Sequence, residues 1–403
     1  MTKKYNENKL VDPEGSMEDN LVVNEPFNPR DIIINRKAFT VETVINRLHR
    51  KSIVLAPDYQ RKEVWGEEKK SQLIESLLLR IPLPSFYVAE GDSGQYEVVD
   101  GQQRLSALRD FFFSDGITAT QRDGNGFKLD GLEYLKKLEG CNYNTLPESF
   151  KENLEEGQFD FIVIDNKTPE DVKFVIFSRI NRGGVALSDQ EVRHALHNGA
   201  VTKLLERLSL CDSFSKNFSK IFSSNDMQDR EVILRALSFM VRHYSAFKKY
   251  AKMKDFLSDT MLIINAMPDF IAPRFLRKFK EDERNNLLIT NIEVLERQFK
   301  LGLSRAIELF EKHAFRRSWG NNKRSPVNKA LFEIWIALFG KMNRVDFEFL
   351  LKNKELFFKK YIEILNDESF KRSITRDVLI ESGVIKRYET LERLIDDVFK
   401  TAY

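Results

Sequence analysis

The sequence predicts an α+β domain over residues 30–200, followed by an all-α domain over residues 201–403, so that the chain is mainly helical overall. Three observations predict this division. A chain of 403 residues is longer than one hydrophobic core normally supports. Short strand-like apolar runs alternate with helical patterns only in the first half, whereas Phe, Leu and Ile recur at helical spacing after Val201. The polar residues 1–29, which include several Asn, Asp and Glu, predict a flexible arm.

Start and stop signals define the elements of the α+β domain. Pro82 and Pro84 end a helix that the spacing of Leu and Ile residues predicts, and a Gly-containing turn at residues 91–94 connects two strands. Thr168 and Ser188 are N-cap residues followed by acidic first turns, so each predicts the start of a helix. In chain order, the predicted elements are an ordered start at residues 32–34, a helix around Leu48, an apolar run at 53–55, a helix at 67–79, strands at 86–89 and 95–99, a helix from residue 102, a strand at 159–164, and helices at 168–181 and 188–199.

The composition excludes several classes of protein. With 42% hydrophobic residues and 32 Phe, the chain has enough apolar material for sizeable cores, so global disorder is excluded. Its two cysteines, Cys141 and Cys211, make neither a disulfide framework nor a zinc site, as is typical of a reducing cytoplasm. The N-terminus lacks the apolar core of a signal peptide, and no segment is long and apolar enough to span a membrane. We therefore expect a cytoplasmic protein that does not bind membranes.

A short segment in the middle of the α+β domain combines residue types that suit nucleotide chemistry. Asp100 ends a predicted strand, and Gly101 allows close approach of the backbone. Gln102, Gln103 and Arg104 occupy the first turn of the next helix, where unpaired N–H groups attract anions and an arginine can grip phosphate oxygens. The carboxylate of Asp100 suits a divalent cation or the orientation of a water molecule. On the residues alone a structural alternative stays open, in which Asp100 caps the helix and Arg104 forms a salt bridge.

This segment and two others resemble the motifs of the GmrSD-type DGQQR family of restriction and phage-defence proteins, whose N-terminal domain is similar to the ParB/sulfiredoxin fold. The upstream segment is Tyr-Gln-Arg at residues 59–61, and an Ile-Pro-Leu-Pro stretch at residues 81–84 precedes a strand as the family pattern expects. The downstream segment is Ile-Asn-Arg-Gly-Gly at residues 180–184. The order of these motifs matches the family, and the resemblance is strong over residues 30–200.

The resemblance implies that this domain binds a nucleoside triphosphate with a divalent cation, Mg²⁺, and hydrolyses it in defence against foreign DNA. Carried over to this sequence, it implies catalytic roles for Asp100, Gln103 and Arg104, with Asp100 also holding the metal. The implied nucleotide-binding residues are Gln60, Arg61, Gly101, Gln102, Asn181, Arg182 and Gly183. The implied partners are DNA and a partner nuclease subunit. Two alternatives stay open, namely a DNA endonuclease that uses the same pocket and a non-enzymatic, nucleotide-gated DNA-binding scaffold.

The sequence departs from the related proteins in two respects. Residues 100–104 include no cysteine, so the chemistry of sulfiredoxin is not expected. Among the five histidines only His194 and His197 are close in sequence, and we interpret them as exposed helix residues rather than metal ligands. We find no HNH nuclease core and therefore expect a stand-alone or partner-dependent protein.

The two halves of the chain differ in charge. The formal net charge is −7 over residues 1–200 and +10 over residues 201–403. Basic residues interleaved with aromatic and amide groups suit contact with nucleic-acid phosphates and base stacking, with a solvated helix face as the alternative. We therefore predict DNA contact on the helical half. The residues predicted to make it are Arg316, Arg317, Lys323 and Arg324, and a second basic cluster comprises Arg274, Arg277, Lys278 and Lys280 beside Phe275 and Phe279.

Overall fold

The computed structural model describes residues 10–12, 32–55, 65–91, 94–115, 122–180, 188–320 and 322–401. The chain divides into two units, of which one comprises residues 25–198 and the other comprises residues 199–403 together with residues 1–24. The first unit contains strands and helices, and the second is helical, so the predicted fold class is confirmed. No helix in these described ranges is long and apolar enough to cross a membrane.

The described residues of the α+β unit form a mixed five-stranded sheet. Its spatial order is β1-β5-β3-β4-β2, with antiparallel β1–β5 and β3–β4 pairs and parallel β5–β3 and β4–β2 pairs. Most side chains of β1 are exposed, so this edge strand lacks the apolar pattern that would have predicted its full length. The strands are β1 (Ile34–Thr40), β2 (Ile53–Val54), β3 (Phe86–Glu90), β4 (Tyr96–Asp100) and β5 (Gln158–Ile164).

Helices cover both faces of this sheet. Helices α1 to α4 pack on one face, and α5 and α6 pack on the other. Because successive strand residues point to opposite faces, β4 places Val98 in the first core and Val99 in the second. The helices are α1 (Val41–His49), α2 (Glu67–Leu78), α3 (Gln102–Phe112), α4 (Glu148–Glu156), α5 (Glu170–Ile180) and α6 (Asp189–Leu196), with 3-10 turns at Lys136–Leu138 and Tyr143–Thr145.

The pairing of β3 with β4 sets the position of Asp100. Tyr87 lies opposite Asp100, and the register shifts between Tyr87 and Val88. Irregularities of this kind redirect side chains and are frequent beside functional sites. The carboxyl end of β4 and the beginning of α3 therefore lie next to the beginning of β3.

The helical unit packs around one large apolar core. Gly302 and Gly340 allow the helices Ile292–Phe310 and Lys329–Lys341 to approach closely. A Cβ atom on Gly302 would lie 2.3 Å from the carbonyl oxygen of Ile336, and one on Gly340 would lie 2.7 Å from that of Gln298. The helices are α7 (Ala200–Leu210), α8 (Asp212–Phe218), α9 (Gln228–Val241), α10 (Met253–Ala266), α11 (Pro273–Lys278), α12 (Glu281–Asn285), α13 (Ile292–Phe310), α14 (Lys329–Lys341), α15 (Arg344–Lys352), α16 (Lys354–Asn366), α17 (Glu368–Ser373) and α18 (Glu381–Thr401), with 3-10 turns at Tyr244–Lys249 and Glu311–His313.

A buried ionic cluster connects three of these helices. Glu333 of α14 accepts a hydrogen bond of 2.8 Å from Nε of Arg235 in α9, and a second from Arg387 in α18. All three side chains are almost completely inaccessible to solvent. Buried charges of this kind are costly unless they remain paired, so the cluster fixes the relative positions of the three helices.

Residues near the N-terminus pack against the helical unit. Asp12 is buried and accepts hydrogen bonds of 2.8 and 2.9 Å from Nε and Nη2 of Arg317, and one of 3.2 Å from Asn328. The backbone N–H of Asp12 also donates to Val327 over 2.8 Å. The polar composition of residues 1–29 predicts a flexible arm, whereas residues 10–12 are held by a paired carboxylate and backbone hydrogen bonds.

Candidate functional site

The turn between β4 and α3 is shaped by Gly101. This residue has φ of 98°, in the left-handed region that favours glycine, and it is the N-cap of α3. A Cβ atom at this position would lie only 2.4 Å from Cδ1 of Phe86. Because Gly101 has no side chain to cap the helix, the first turn of α3 lacks a side-chain cap. The local sequence thus produces a tight turn in which Asp100, at the end of β4, comes just before the first turn of α3.

Arg104 is clamped inside the protein. Its guanidinium group donates to the carbonyl oxygens of Pro84 and Ser85, the latter over 3.4 Å, and lies 4.4 Å from the centre of the Phe86 ring. Nη2 also pairs with Oδ2 of Asp100 at 3.1 Å, and only 13% of the Arg104 side chain is exposed. Burial lowers the pKa of Arg104, whereas the charge of Asp100 opposes that shift. Arg104 therefore joins the beginning of β3 to the end of β4.

Asp100 is the accessible acidic group of this turn. Its side chain is 43% exposed, and one of its oxygens, Oδ2, accepts the hydrogen bond from Arg104. Its other oxygen, Oδ1, has no hydrogen-bond partner among the residues that the structure describes. The sequence left open a structural role in which Asp100 caps α3 and Arg104 forms a salt bridge. The salt bridge is present, but the N-cap residue is Gly101. Asp100 is thus oriented by Arg104 and has one oxygen available for a ligand.

The two glutamines of the turn have different environments. Oε1 of Gln103 accepts a hydrogen bond of 3.3 Å from the backbone N–H of Trp65, just before α2. Gln102 is buried, as the first residue of α3. Gln103 therefore connects the beginning of α3 to Trp65, shortly before α2.

The family comparison identifies this part of the chain. The family model described as GmrSD restriction endonuclease, N-terminal domain, matches residues 41–198. Residues 41–198 are a GmrSD-type N-terminal domain. The match spans all three motif segments, so the resemblance inferred from the sequence is confirmed. Searches of curated proteins and of solved structures give no significant match to the chain.

The rest of the predicted nucleotide site falls outside the described residues of the GmrSD-type domain. This applies to the upstream and downstream motifs, whose predicted binding residues are Gln60, Arg61, Asn181, Arg182 and Gly183. The described residues nearest to them in sequence are Trp65, bonded to Gln103, and Ile180, the last residue of α5. The structure therefore brings together Asp100, Gly101 and Arg104, while the roles of the other two segments stay predictions.

Two histidines of the GmrSD-type domain, His194 and His197, are more buried than the sequence predicts. His194 on α6 and His197 at its end are 5% and 2% exposed, so the interpretation as exposed helix residues is wrong. They are buried because α6 packs its inner side against the sheet, which the capping box at Ser188 alone does not reveal. Within the described ranges, no group of three or more His, Cys, Asp or Glu residues is placed to hold a metal ion.

The predicted nucleic-acid residues of the helical unit divide into two pairs. Arg316 is half-buried and donates to the carbonyl oxygen of Ser325, and burial lowers its pKa. Arg317 pairs with Asp12. Lys323 and Arg324 are exposed. Arg317 keeps 39% of its side chain exposed but is paired with Asp12, so the proposed contact with DNA centres on the loop that carries Lys323 and Arg324.

The second basic cluster of the helical unit lacks the stacking groups that the sequence suggested. Phe275 and Phe279 are buried in the helical core. Lys278 lies 3.6 Å from the buried carboxylate of Asp259. Both aromatic rings therefore stabilise the fold and are not available to stack on bases.

A cationic groove that the sequence analysis did not identify lies at the carboxyl end of α1. It is open, has a volume of about 400 Å³, and is lined by Thr43, Asn46, Arg47, Arg50 and Ser52. The signal in the sequence is weak, since two arginines three residues apart are common near the end of an ordinary helix.

Proposed function

We propose that the GmrSD-type domain binds a nucleoside triphosphate with Mg²⁺ at the turn from Asp100 to Arg104 and hydrolyses it. We further propose that turnover controls the restriction of foreign DNA, either by this chain or by a partner nuclease. The observation that carries the proposal is the half-exposed carboxylate of Asp100, held by Arg104 in front of a helix start that has no side-chain cap. The match to the N-terminal domain of a restriction endonuclease supports the biological context.

The chemistry of the turn fits the proposed cation. Oxygen ligands suit Mg²⁺, which commonly uses one or two carboxylates together with waters and substrate phosphates, and Oδ1 of Asp100 supplies such a ligand. When bound, Mg²⁺ would neutralise charge on the phosphates. The backbone N–H groups at the beginning of α3 would bind phosphate oxygens through hydrogen bonds and the helix dipole.

In this proposal Arg104 is a positioning residue. Its contacts with Pro84, Ser85 and Asp100 occupy the guanidinium group within the protein. It holds the carboxylate of Asp100 at a fixed angle and sets the spacing between β3 and the beginning of α3. This differs from the direct grip on phosphate that the sequence suggested. Gln103, which accepts a hydrogen bond from the backbone N–H of Trp65, keeps its proposed role beside the substrate.

The clamped state of Arg104 also favours a second candidate, the nucleotide-gated scaffold. A scaffold needs a shaped binding turn but no cationic group to stabilise charge in the transition state. The endonuclease alternative requires more metal-ligating carboxylates than this turn provides. A two-metal site would use a group of three or more potential metal ligands. The described residues contain no such group.

The test uses the full chain and the conservative substitution Asp100→Asn. Thermal unfolding is measured with each of the four common NTPs and Mg²⁺, and phosphate release is measured in parallel. We expect one or more NTPs to stabilise the wild type and to be hydrolysed, because a ligand that binds only the folded state raises its stability. Asp100→Asn should lose hydrolysis and Mg²⁺-dependent stabilisation.

The matched control is Asp130→Asn, which removes a charge from an exposed carboxylate in the same domain. It should behave as wild type in both measurements. Stabilisation without phosphate release would support the scaffold over the hydrolase. Absence of both effects for every NTP would refute nucleotide binding.

A further inference from the structure

The groove at the end of α1 is built around a preorganised arginine. The guanidinium carbon of Arg47 lies 4.5 Å from the centre of the Phe39 ring and 5.1 Å from that of Tyr96. Such stacking fixes the plane of the guanidinium group and leaves its edge N–H groups free to donate. Lys37 adds a second cation beside the same ring, since its Nζ donates to the Tyr96 hydroxyl over 2.8 Å.

Among the described residues, the arginines that line the groove lack the ion-pair partners that arginines normally have. Within the described part of the chain, neither Arg47 nor Arg50 makes a side-chain hydrogen bond or an ion pair. The neighbouring Arg122 shows the contrast, because it donates to Asn46 over 2.9 Å and pairs with Glu155 at 3.2 Å. Two unneutralised guanidinium groups at one groove form a positive surface within the acidic half of the chain.

Neutral polar groups complete the lining. The amide oxygen of Asn46 accepts from Arg122, so its NH₂ group remains a donor on the other side of the amide. Thr43 and Ser52 also line the groove, but their hydroxyls are engaged within the protein, with the hydroxyl of Thr40 at 2.9 Å and the carbonyl oxygen of Arg47 at 3.2 Å respectively. Cationic and amide donors around one opening are groups that bind phosphate oxygens in protein–DNA interfaces.

The groove is separate from the nucleotide site proposed above. Tyr96 is the first residue of β4, and Asp100 is the last. Four residues along a strand correspond to about 13 Å, so the two sites lie at opposite ends of this strand. The groove and the turn at Asp100 are therefore distinct sites.

A purely structural role is the competing explanation for these arginines. Cations in the last turn of a helix interact favourably with its dipole, and Arg47 lies in the last turn of α1 with Arg50 as its C-cap. That role accounts for the presence of positive charge but not for a polar groove. It predicts changes in stability alone when the charges are removed.

We infer that this groove binds the phosphodiester backbone of double-stranded DNA. An open groove with an exposed arginine, Arg50, beside the half-buried Arg47 suits a long polyanion, whereas sites for small ligands bury most of the ligand surface. The contact is made through phosphates and carries no base information, so it positions DNA on the GmrSD-type domain without selecting a sequence.

The experiment measures binding of the full chain to a labelled duplex DNA by fluorescence anisotropy at several salt concentrations. Arg50→Glu is the main variant, because Arg50 is exposed and its loss removes no packing. We expect it to weaken binding by about tenfold and to lower the salt dependence by about one phosphate contact. Arg47→Gln should weaken binding in the same direction, and thermal unfolding checks that both variants remain folded.

The matched control is Lys137→Glu, which reverses an exposed charge in the loop between α3 and α4. It should change the dissociation constant less than twofold. Asp100→Asn should retain DNA binding, which separates this inference from the proposed nucleotide site. Equal effects of Arg50→Glu and Lys137→Glu would overturn the inference. DNA binding that depends only on Lys323 would also overturn the inference. The same holds if the groove variants lose NTP-dependent stabilisation but keep DNA binding.

Discussion

Replacing Arg104 by alanine should loosen the junction of β3, β4 and α3 before any ligand is present. The substitution removes hydrogen bonds to two backbone carbonyls, those of Pro84 and Ser85, and the stacking on Phe86. Charge-assisted hydrogen bonds each contribute about 1.5–3 kcal/mol, and a cation–ring contact contributes about 0.5–2 kcal/mol. The bond to Ser85 is long at 3.4 Å, and the ion pair with the half-exposed Asp100 adds little. We therefore expect the free energy of local unfolding at this junction to fall by about 2 kcal/mol, which is less than the full sum of these contributions.

Hydrogen exchange measured by mass spectrometry reports this loss directly. Peptides that cover β3 and α3 should exchange about thirtyfold faster in Arg104→Ala, because each 1.4 kcal/mol changes an equilibrium about tenfold. Peptides from the helical unit should not change. Arg104→Lys should lie between wild type and alanine, since lysine keeps the charge but loses the planar fork.

The control is Arg36→Ala, an exposed arginine on β1 with no ion pair among the described residues. It should leave the exchange of β3 and α3 unchanged. If the exchange rates of β3 and α3 in Arg104→Ala lie within twofold of wild type, Arg104 does not stabilise this junction. Exchange in Arg104→Lys as fast as in Arg104→Ala would likewise refute the role of the planar guanidinium group. The outcome also decides how Arg104 variants are interpreted in nucleotide assays, because loss of binding then follows from a displaced Asp100.

Two further predictions concern the helical unit. Glu333→Gln should lower the free energy of unfolding by about 3–5 kcal/mol, measured by urea denaturation, because it leaves Arg235 and Arg387 buried with no carboxylate between them. Burial, together with Glu392, raises the pKa of Tyr244 to about 12. The folded state then retains a proton that the unfolded state loses above about pH 10, so stability should fall as the pH rises from about 10 to 12. Tyr244→Phe should reduce that fall in thermal unfolding curves, and the remainder comes from the other tyrosines whose pKa burial raises, namely Tyr143, Tyr250, Tyr361 and Tyr388.

Each of these predictions has a matched control. Glu308→Gln changes an exposed glutamate of α13 and should alter the free energy of unfolding by less than about 0.5 kcal/mol. Tyr134→Phe changes a tyrosine that is 74% exposed and should leave the alkaline unfolding curve unchanged. A loss below about 1 kcal/mol for Glu333→Gln would contradict the uncompensated-charge argument. An alkaline fall of the same size in Tyr244→Phe and wild type would exclude Tyr244 as its cause.

Local signals predicted the elements of the GmrSD-type domain well. The capping box at Ser188 is present, with Ser188 accepting from Glu191 over 3.2 Å and Glu191 accepting from the backbone of Ser188 over 2.7 Å. Strands β3, β4 and β5 lie within about one residue of their predicted bounds. These features depend on residues close in sequence, which is why pattern and capping chemistry reveal them.

The partners of the site residues could not be predicted in the same way. Arg104 contacts Pro84 and Ser85 because β3 pairs with β4 in one particular register. Register and sheet order are set by packing between distant segments and leave no short motif. The sequence therefore identified Arg104 as important but gave it a ligand contact in place of its structural one. In the same way, the pairing of Asp12 with Arg317 joins residues 305 positions apart, so an arginine expected to contact DNA is used within the fold.

Net charge is a poor guide to where a polyanion would bind on this chain, because pairing decides which charges are available. The helical half carries +10, but its predicted contacts include Arg317, which is neutralised by Asp12, and Arg316, which is half-buried. The first half carries −7, but it contains Arg47 and Arg50 at one groove with no carboxylate partner among the described residues. A cation that already has a partner must break that contact before it binds phosphate, whereas an unpaired and stacked guanidinium group is ready to bind. Local neutralisation therefore leaves Lys323 and Arg324 as the exposed, unburied cations among the four predicted contacts of the helical half, and it supports the groove on α1 as the proposed site for a polyanion.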